Sequence, residues 1–242
     1  NEKGAVEKVE QGKLIATTVG RVFFNDILPK GMRFYNRSMT KKALNGVVSD
    51  CHLSLGREAT VVVLDRMKST GFHWATVSGL TFAASDLKAP HNKAQIISDA
   101  EKQIFAIEEA HQMGDLTEGE RYNQIVDTWT HVTEAITKEL VKELETDDRG
   151  PDYINPIWTM FYSGARASAQ QVRQLAGFRG LMSKPNGRII ETPIRANFRE
   201  GLQGLEYFSS THGARKGLAD TALQTANSGY LTRKLVEVAQ DV

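Results

Sequence analysis

The sequence has a single cysteine, Cys51, among its 242 residues. One thiol cannot form an internal disulfide, and it excludes a zinc site built from several cysteines. We therefore interpret Cys51 as a small buried or half-buried residue and expect a reducing, cytoplasmic setting. No run of about 18 apolar residues occurs, so the sequence predicts no membrane span.

Motifs of self-contained catalytic sites are also missing. The sequence has no GxxxxGK(S/T) phosphate loop, no HExxH, no GxSxG and no paired acidic motif that would cradle a metal. Its six histidines are scattered without the spacing of metal ligands. These absences make it the weakest hypothesis that the chain is an independent nucleotide-binding enzyme.

The two ends of the sequence favour a fragment of a longer chain. The first residue is Asn1 rather than methionine, and residues 1–11 are too charged to predict a secretory leader. The sequence stops at Val242 without a terminating signal. Processing would leave similar ends, so both explanations stay open.

Charge is distributed unevenly along the chain. Lys and Arg number 30 against 29 Asp and Glu, which leaves a formal net charge of +1. Residues 155–242 hold 11 of these basic residues and 6 of the acidic ones. A basic C-terminal third is compatible with phosphate-bearing partners, although many solvated surfaces carry a similar excess.

The hydrophobic pattern predicts a mainly α fold with minor β structure (α+β). Residues 15–28 combine threonine, valine and phenylalanine before Pro29 and Gly31, a composition that favours a strand. Residues 71–87 are expected to form loops and short extended pieces. Residues 40–55 have helical spacing, and residues 57–67 favour a helix by length and flanks, although periodicity alone does not separate helix from strand there.

The middle of the chain predicts a long antiparallel helical hairpin. Apolar residues recur at three- and four-residue steps from Ile97 to His111, and a second such seam runs from Tyr122 to Leu140. Thr117 and Glu120 form a capping-box pattern at the start of the second helix. With roughly 25 residues, that helix would extend about 37 Å, the length of a projecting arm.

Two further helices are predicted in the last third. Residues 157–178 favour one amphipathic helix, and residues 209–242 favour one uninterrupted helix capped by a hydroxyl side chain at 209–211. Gly213, Gly217 and Gly229 each cost the second of these about 1 kcal/mol relative to alanine. Such small residues would let another backbone or a nucleic-acid base approach, or let the helix bend. A buried packing helix is the alternative, but its charged residues argue against burial on all sides.

Several segments of the last third are specific enough to indicate a family. They are residues 163–166 (SGAR), 173–177 (RQLAG), 179–182 (RGLM), 197–202 (NFREGL), 206–208 (EYF), 210–223 (STHGARKGLADTAL) and 225–233 (TANSGYLTR). These segments resemble the F-loop and bridge-helix region of β′, the largest catalytic subunit of bacterial-type RNA polymerases. Residues 17–21 (TTVGR) and 119–123 (GERYN) resemble the pore domain and rim-helix turn of the same subunit. The resemblance therefore covers essentially the whole chain.

The resemblance implies four parts and a shared role. Residues 1–90 would be the C-terminal part of the pore domain, 91–178 the funnel domain with the rim-helix hairpin, 179–208 the F-loop region and 209–242 the bridge helix. In the family, the bridge helix crosses the active-site cleft and supports the template base opposite the incoming nucleotide. We therefore expect the segment to line the secondary channel and to position template base and NTP during DNA-directed RNA synthesis. Alone, it is expected to be inactive.

The resemblance also assigns roles to individual residues. Thr225, Ala226, Asn227 and Tyr230 fall at positions expected near the template base, and Arg233 is expected to contact a backbone phosphate. Arg166 would face the secondary channel, where its guanidinium could pair with the nucleotide triphosphate. The residues expected to form the hinge and its F-loop support are Gly213, Arg215, Lys216, Gly217, Arg179 and Met182.

Cofactors and partners are implied in the same way. No cofactor is expected to bind this segment, because the metal-binding aspartate motif of the family lies upstream; Mg²⁺ would be held in the intact enzyme by residues outside it. Expected partners are the β, α, ω and σ subunits, template DNA, RNA, NTPs and secondary-channel regulators of the Gre type at the rim hairpin. No membrane partner is expected.

Three positions depart from the family pattern, and one rival hypothesis remains. Gln224 stands where many members carry lysine, which puts a charge contact there in doubt. Ala167 replaces a usual glycine and Phe178 a frequent methionine, both interpreted as packing variation. The rival is a free-standing helical interaction module, with the hairpin as a protein-binding arm and the basic third as a nonspecific nucleic-acid surface.

Overall fold

The structure, a computed structural model, describes residues 14–147, 149–150, 153–184 and 186–241. These residues form seven α-helices and one short 3₁₀ helix (Ala84–Asp86). The α-helices are α1 (Val19–Asp26), α2 (Lys41–Ser78), α3 (Lys93–Met113), α4 (Glu118–Glu145), α5 (Pro156–Ser163), α6 (Ala169–Ala176) and α7 (Gly204–Ala239). The mainly α prediction is confirmed.

The predicted minor β component is not confirmed. The described residues form no strand, and their β character is limited to two isolated bridges, Gly180 with Ile194 and Ser183 with Ile189. The chain divides into two compact units. Unit 1 contains the residues up to Asp86 together with Ile154–Ser168, and unit 2 contains Leu87–Tyr153 and Ala169–Val242.

In unit 1, residues 15–28 contain a helix where a strand was predicted. Val19 and Phe23 of α1 and its C-cap residue Ile27 follow at four-residue steps and line one apolar cavity, so they share a helical face. The side-chain amide of Asn25 donates to the carbonyl of Tyr35 at 3.1 Å and accepts the backbone N–H of Tyr35 at 2.8 Å. A strand would need a neighbouring strand to satisfy its backbone groups, and the described part of unit 1 offers none.

The 38-residue helix α2 is broken at Gly56. Its φ of 81° and ψ of −174° are not helical, so two helical arms meet there, in a conformation that favours glycine. The hydroxyl of Thr60 donates to the Gly56 carbonyl at 2.7 Å and lies buried beside Cys51. Cys51 is buried, as predicted. The second arm continues to Ser78, so the loop predicted for residues 71–78 is wrong.

In unit 2, α3 and α4 form the predicted helical hairpin. α3 ends at Gly114 with a φ of 87°, and α4 starts at the predicted capping box, in which Thr117 and Glu120 each accept the other's backbone N–H. The core consists of Ala100, Ile125, Trp129, Val132, Ile136 and Phe178, so the two apolar seams meet as expected.

The single helix predicted for residues 157–178 is wrong, because two helices occupy that range. α5 ends at Ser163, its C-cap Gly164 has a φ of 75°, and Ala167 follows with a φ of 73°. Left-handed residues cannot continue the i to i−4 hydrogen-bond ladder. α5 belongs to unit 1 and α6 to unit 2.

The C-terminal helix α7 starts before the predicted residue 209. Gln203 is its N-cap, and Glu206 completes a capping box by accepting the backbone N–H of Gln203 at 3.0 Å. With 36 residues, α7 extends about 54 Å at about 1.5 Å per residue. Among the described residues, no helix combines the length and apolar character needed to cross a membrane.

Candidate functional site

The candidate site is the surface of α7. Residues 214–241 are all exposed, so this stretch of helix has no face buried by the described residues. A helix of this length normally depends on packing of an apolar face for its stability. Leu218, Leu231 and Leu235 are each at least 60% exposed, which indicates a surface that packs against something outside these residues.

One part of that surface has only short side chains, so little projects from the helix backbone there. Its threonines also bond to carbonyls of their own helix. The hydroxyls of Thr221, Thr225 and Thr232 each donate to the carbonyl four residues earlier, at 2.8 Å. This bonding holds the hydroxyls against the helix and satisfies them locally. A Cβ atom built at Gly217 or Gly229 would meet no described atom within 4 Å apart from the neighbouring backbone of α7, so packing among the described residues does not require these glycines.

A polar and aromatic cluster lies next to the small residues. Ala226, Tyr230 and Arg233 follow at steps of four and three residues and therefore share one face of α7. The Lys234 ammonium lies 5.7 Å from the centre of the Tyr230 ring, and Arg233 Nε lies 3.1 Å from Glu237 Oε1. The Lys234 Nζ also lies 3.2 Å from Glu237 Oε2. Both ion pairs with Glu237 are exposed and therefore weak, so a phosphate group would compete with Glu237 for Arg233 and Lys234.

The start of α7 is held by the loop that follows α6. Arg179 donates from Nη1 to the Ser210 hydroxyl, and its guanidinium carbon lies 4.7 Å from the centre of the Phe198 ring. Burial lowers the pKa of Arg179. Within the described residues its Nε has no hydrogen-bond partner. The contact between Arg179 and Ser210 lies about one helical turn before Gly213, the first of the predicted hinge residues.

The remaining predicted residues have different surroundings. Met182 is half-buried, and its carbonyl accepts the backbone N–H of Ile190 at 2.8 Å. Arg215, Lys216 and Asn227 are exposed on α7. Arg166 is exposed on the connection between α5 and α6 and belongs to unit 1, whereas the residues of α7 belong to unit 2. The structure therefore brings together the predicted residues of α7 on one helix.

The tip of the hairpin carries a second cluster of charges. Arg121 donates to both carboxylate oxygens of Glu118, at 3.1 and 2.8 Å, and lies 3.0 Å from Glu191. These hydrogen bonds raise the pKa of Arg121, and the bond from Arg121 lowers the pKa of Glu118. His111 Nε2 lies 3.4 Å from the same Glu118 carboxylate. The tip of the hairpin therefore carries both acidic and basic side chains, and ion pairs between them fix their positions.

Sequence reasoning missed the residues that anchor the segment leading into α7. Asn197 is fully buried and donates to the carbonyls of Ala176 and Gly177, and Glu200 lies 2.6 Å from Lys93. Asn197 and Glu200 both lie in the NFREGL segment, but nothing in the sequence links that segment to Lys93, which lies 107 positions earlier. Among the described residues, no three His, Cys, Asp or Glu side chains are grouped so that they could hold a metal ion.

Comparisons with known proteins identify the family. Three family models match in order: RNA polymerase Rpb1 domain 3 over residues 3–87, domain 4 over 116–200 and domain 5 over 201–242. The DNA-directed RNA polymerase subunit beta' of Rhodopirellula baltica is 58% identical over 98% of this chain. Proteins of the same name from Methylacidiphilum infernorum and Hydrogenovibrio crunogenus are 54% and 50% identical over 95% and 100% of it.

The chain therefore belongs to the largest-subunit family of RNA polymerases and corresponds to a segment of bacterial β′. It spans only 17%, 16% and 18% of the length of these three relatives.

Proposed function

We propose that this chain is a template- and substrate-positioning segment of a DNA-directed RNA polymerase, with α7 as the element that meets the template base. The single observation that carries the proposal is the exposed, low surface of α7 around Thr225 and Ala226, next to Tyr230 and Arg233. A flat base edge needs small residues beneath it, and an adjacent cation suits a backbone phosphate. The catalytic Mg²⁺ would be held by residues outside this segment.

Two finer roles belong to the same proposal. Arg166, exposed on its connecting loop, would line the secondary channel and pair with the nucleotide triphosphate. The charged hairpin tip around Arg121 and Glu118 would dock channel regulators of the Gre type. The partners of the whole assembly would be the β, α, ω and σ subunits, template DNA, RNA and NTPs. Relatives named subunit beta' that cover nearly the whole chain favour this proposal over a free-standing interaction module.

A bulky residue on the base-facing part of α7 tests the proposal. Thr225→Trp or Ala226→Trp, placed in the full subunit of an assembled polymerase, should slow nucleotide addition by at least about tenfold, because a ring there would occupy the place of the base. Ala106→Trp is the matched control, since Ala106 is an exposed alanine on the hairpin helix α3. Elongation rates unchanged by both α7 substitutions would refute the role assigned to α7.

A further inference from the structure

We propose that the ion pair between Lys93 and Glu200 is a positioning pair, which sets where α7 starts relative to the hairpin and so affects nucleotide addition. The inference rests on the proposed function of α7. It adds two residues to that function and links the hairpin helix α3 to α7 inside unit 2.

The side chain of Lys93 is shielded from solvent. Lys93 is the first residue of α3, where the helix dipole disfavours a positive charge, yet its side chain is only 13% exposed. Its Nζ lies 2.6 Å from Oε2 of Glu200. A shielded lysine at a helix N-terminus needs such a carboxylate, so removing Glu200 would leave the ammonium poorly compensated.

Hydrogen bonds hold the turn that carries Glu200 in place. The backbone N–H of Glu200 donates to Oδ1 of Asn197 at 2.7 Å, and the amide of Asn197 donates to the carbonyls of Ala176 and Gly177 at 2.7 and 3.2 Å. Asn197 is fully buried. Glu200 is therefore fixed to the end of α6, and a shift of Lys93 would act on a rigid turn four residues before α7.

A second ion pair runs parallel to the first. Glu101 lies two turns along α3 from Lys93, on the same face, and pairs with Arg195. The backbone N–H of Arg195 donates to Glu206 at 3.1 Å, and Glu206 caps α7. The side chains of Arg195 and Glu101 are 54% and 41% exposed, so solvent weakens this pair more than the first.

An open groove lies beside the two ion pairs. It has a volume of about 620 Å³ and lies between α3 and the segment that leads into α7, with Lys93, Ile97, Arg195, Glu200 and Glu206 in its lining. Atoms on opposite walls of a groove make no dispersion contact across it. The ion pairs therefore connect α3 directly to the segment that leads into α7.

The test is a double-mutant cycle in an assembled polymerase that carries the full subunit. Lys93→Met and Glu200→Gln should each lower the kcat of nucleotide addition by about two- to thirtyfold, with a smaller change in the nucleotide KM. The double variant should be no slower than the slower single variant, because both changes remove one interaction. Lys93→Arg keeps the positive charge, so its kcat should stay close to that of the parent enzyme. Lys102→Met is the control, since Lys102 is an exposed lysine of the same helix.

Three outcomes would overturn the inference: unchanged kcat in both single variants, a double variant whose loss is the product of the single losses, or an equal loss in Lys102→Met. Thr225→Trp, measured in the same assay, separates this failure from a failure of the proposed function. If Thr225→Trp slows nucleotide addition but the Lys93 and Glu200 variants do not, only the role proposed for the Lys93–Glu200 pair is wrong. If Thr225→Trp also has no effect, the role of α7 itself is wrong.

Discussion

Replacing Phe178 offers a direct test of how the hairpin is held together. Phe178 is fully buried, and its ring stacks on Trp129 with ring centres 6.0 Å apart and an interplanar angle of 21°. A side chain added at Gly180 would come within 3.3 Å of the Phe178 ring, so the surroundings are close-packed. Phe178→Ala should therefore lower the free energy of unfolding of unit 2 by about 3–5 kcal/mol.

A substitution that conserves side-chain volume at position 178 separates two contributions to that loss of stability. Phe178→Met keeps most of the buried volume but loses the stacking on Trp129, so we expect a loss of only about 1.5 kcal/mol. Phe105→Ala is the matched control, because Phe105 lies on α3 with 60% of its surface exposed. Its loss should stay within about 0.5 kcal/mol.

Hydrogen exchange of the α4 backbone amides measures these differences. If the hairpin opens cooperatively, exchange should be faster by about a hundredfold to a few thousandfold in Phe178→Ala and by about tenfold in Phe178→Met. In Phe105→Ala it should change by about twofold. Exchange that is equally fast in Phe178→Ala and Phe105→Ala would refute the assignment of Phe178 to the hairpin core.

Two predictions concern unit 1 and the connection that leaves it. Ala167 has a φ of 73°, so Ala167→Gly should raise the free energy of unfolding by up to about 1 kcal/mol, whereas Ala165→Gly should not; thermal unfolding of the two variants compares them. The hydrogen bond from Tyr35, followed by that from Arg33, lowers the pKa of Asp50. A carboxyl group with a lowered pKa stabilises the fold above its unfolded pKa of about 3.9 and loses that contribution as the pH falls through the folded pKa. Urea unfolding at pH 6 and at pH 3 should therefore show a smaller acid loss in Asp50→Asn than in the parent chain, and equal losses would contradict this.

Local patterns in the sequence predicted those elements whose partners lie nearby. The hairpin seams and the capping box at Thr117 and Glu120 involve residues a few positions apart, and both are present. The strand predicted for residues 15–28 failed because valine and phenylalanine suit a helix equally well once one face lies against an apolar cavity. The single helix predicted for 157–178 failed because a left-handed alanine, Ala167, has no marker in the apolar periodicity.

For the candidate site, the sequence pattern predicted a long C-terminal helix with three interior glycines, and the sequence motifs indicated the β′ family. These features are encoded by consecutive residues, so they can be recognised without knowing the path of the chain. Three features depend on the fold: residues 214–241 are exposed in the part of the chain that the structure describes, Arg179 contacts Ser210, and Glu200 pairs with Lys93. The physical reason is that an ion pair or a buried face depends on where distant segments meet, and 107 positions separate Lys93 from Glu200.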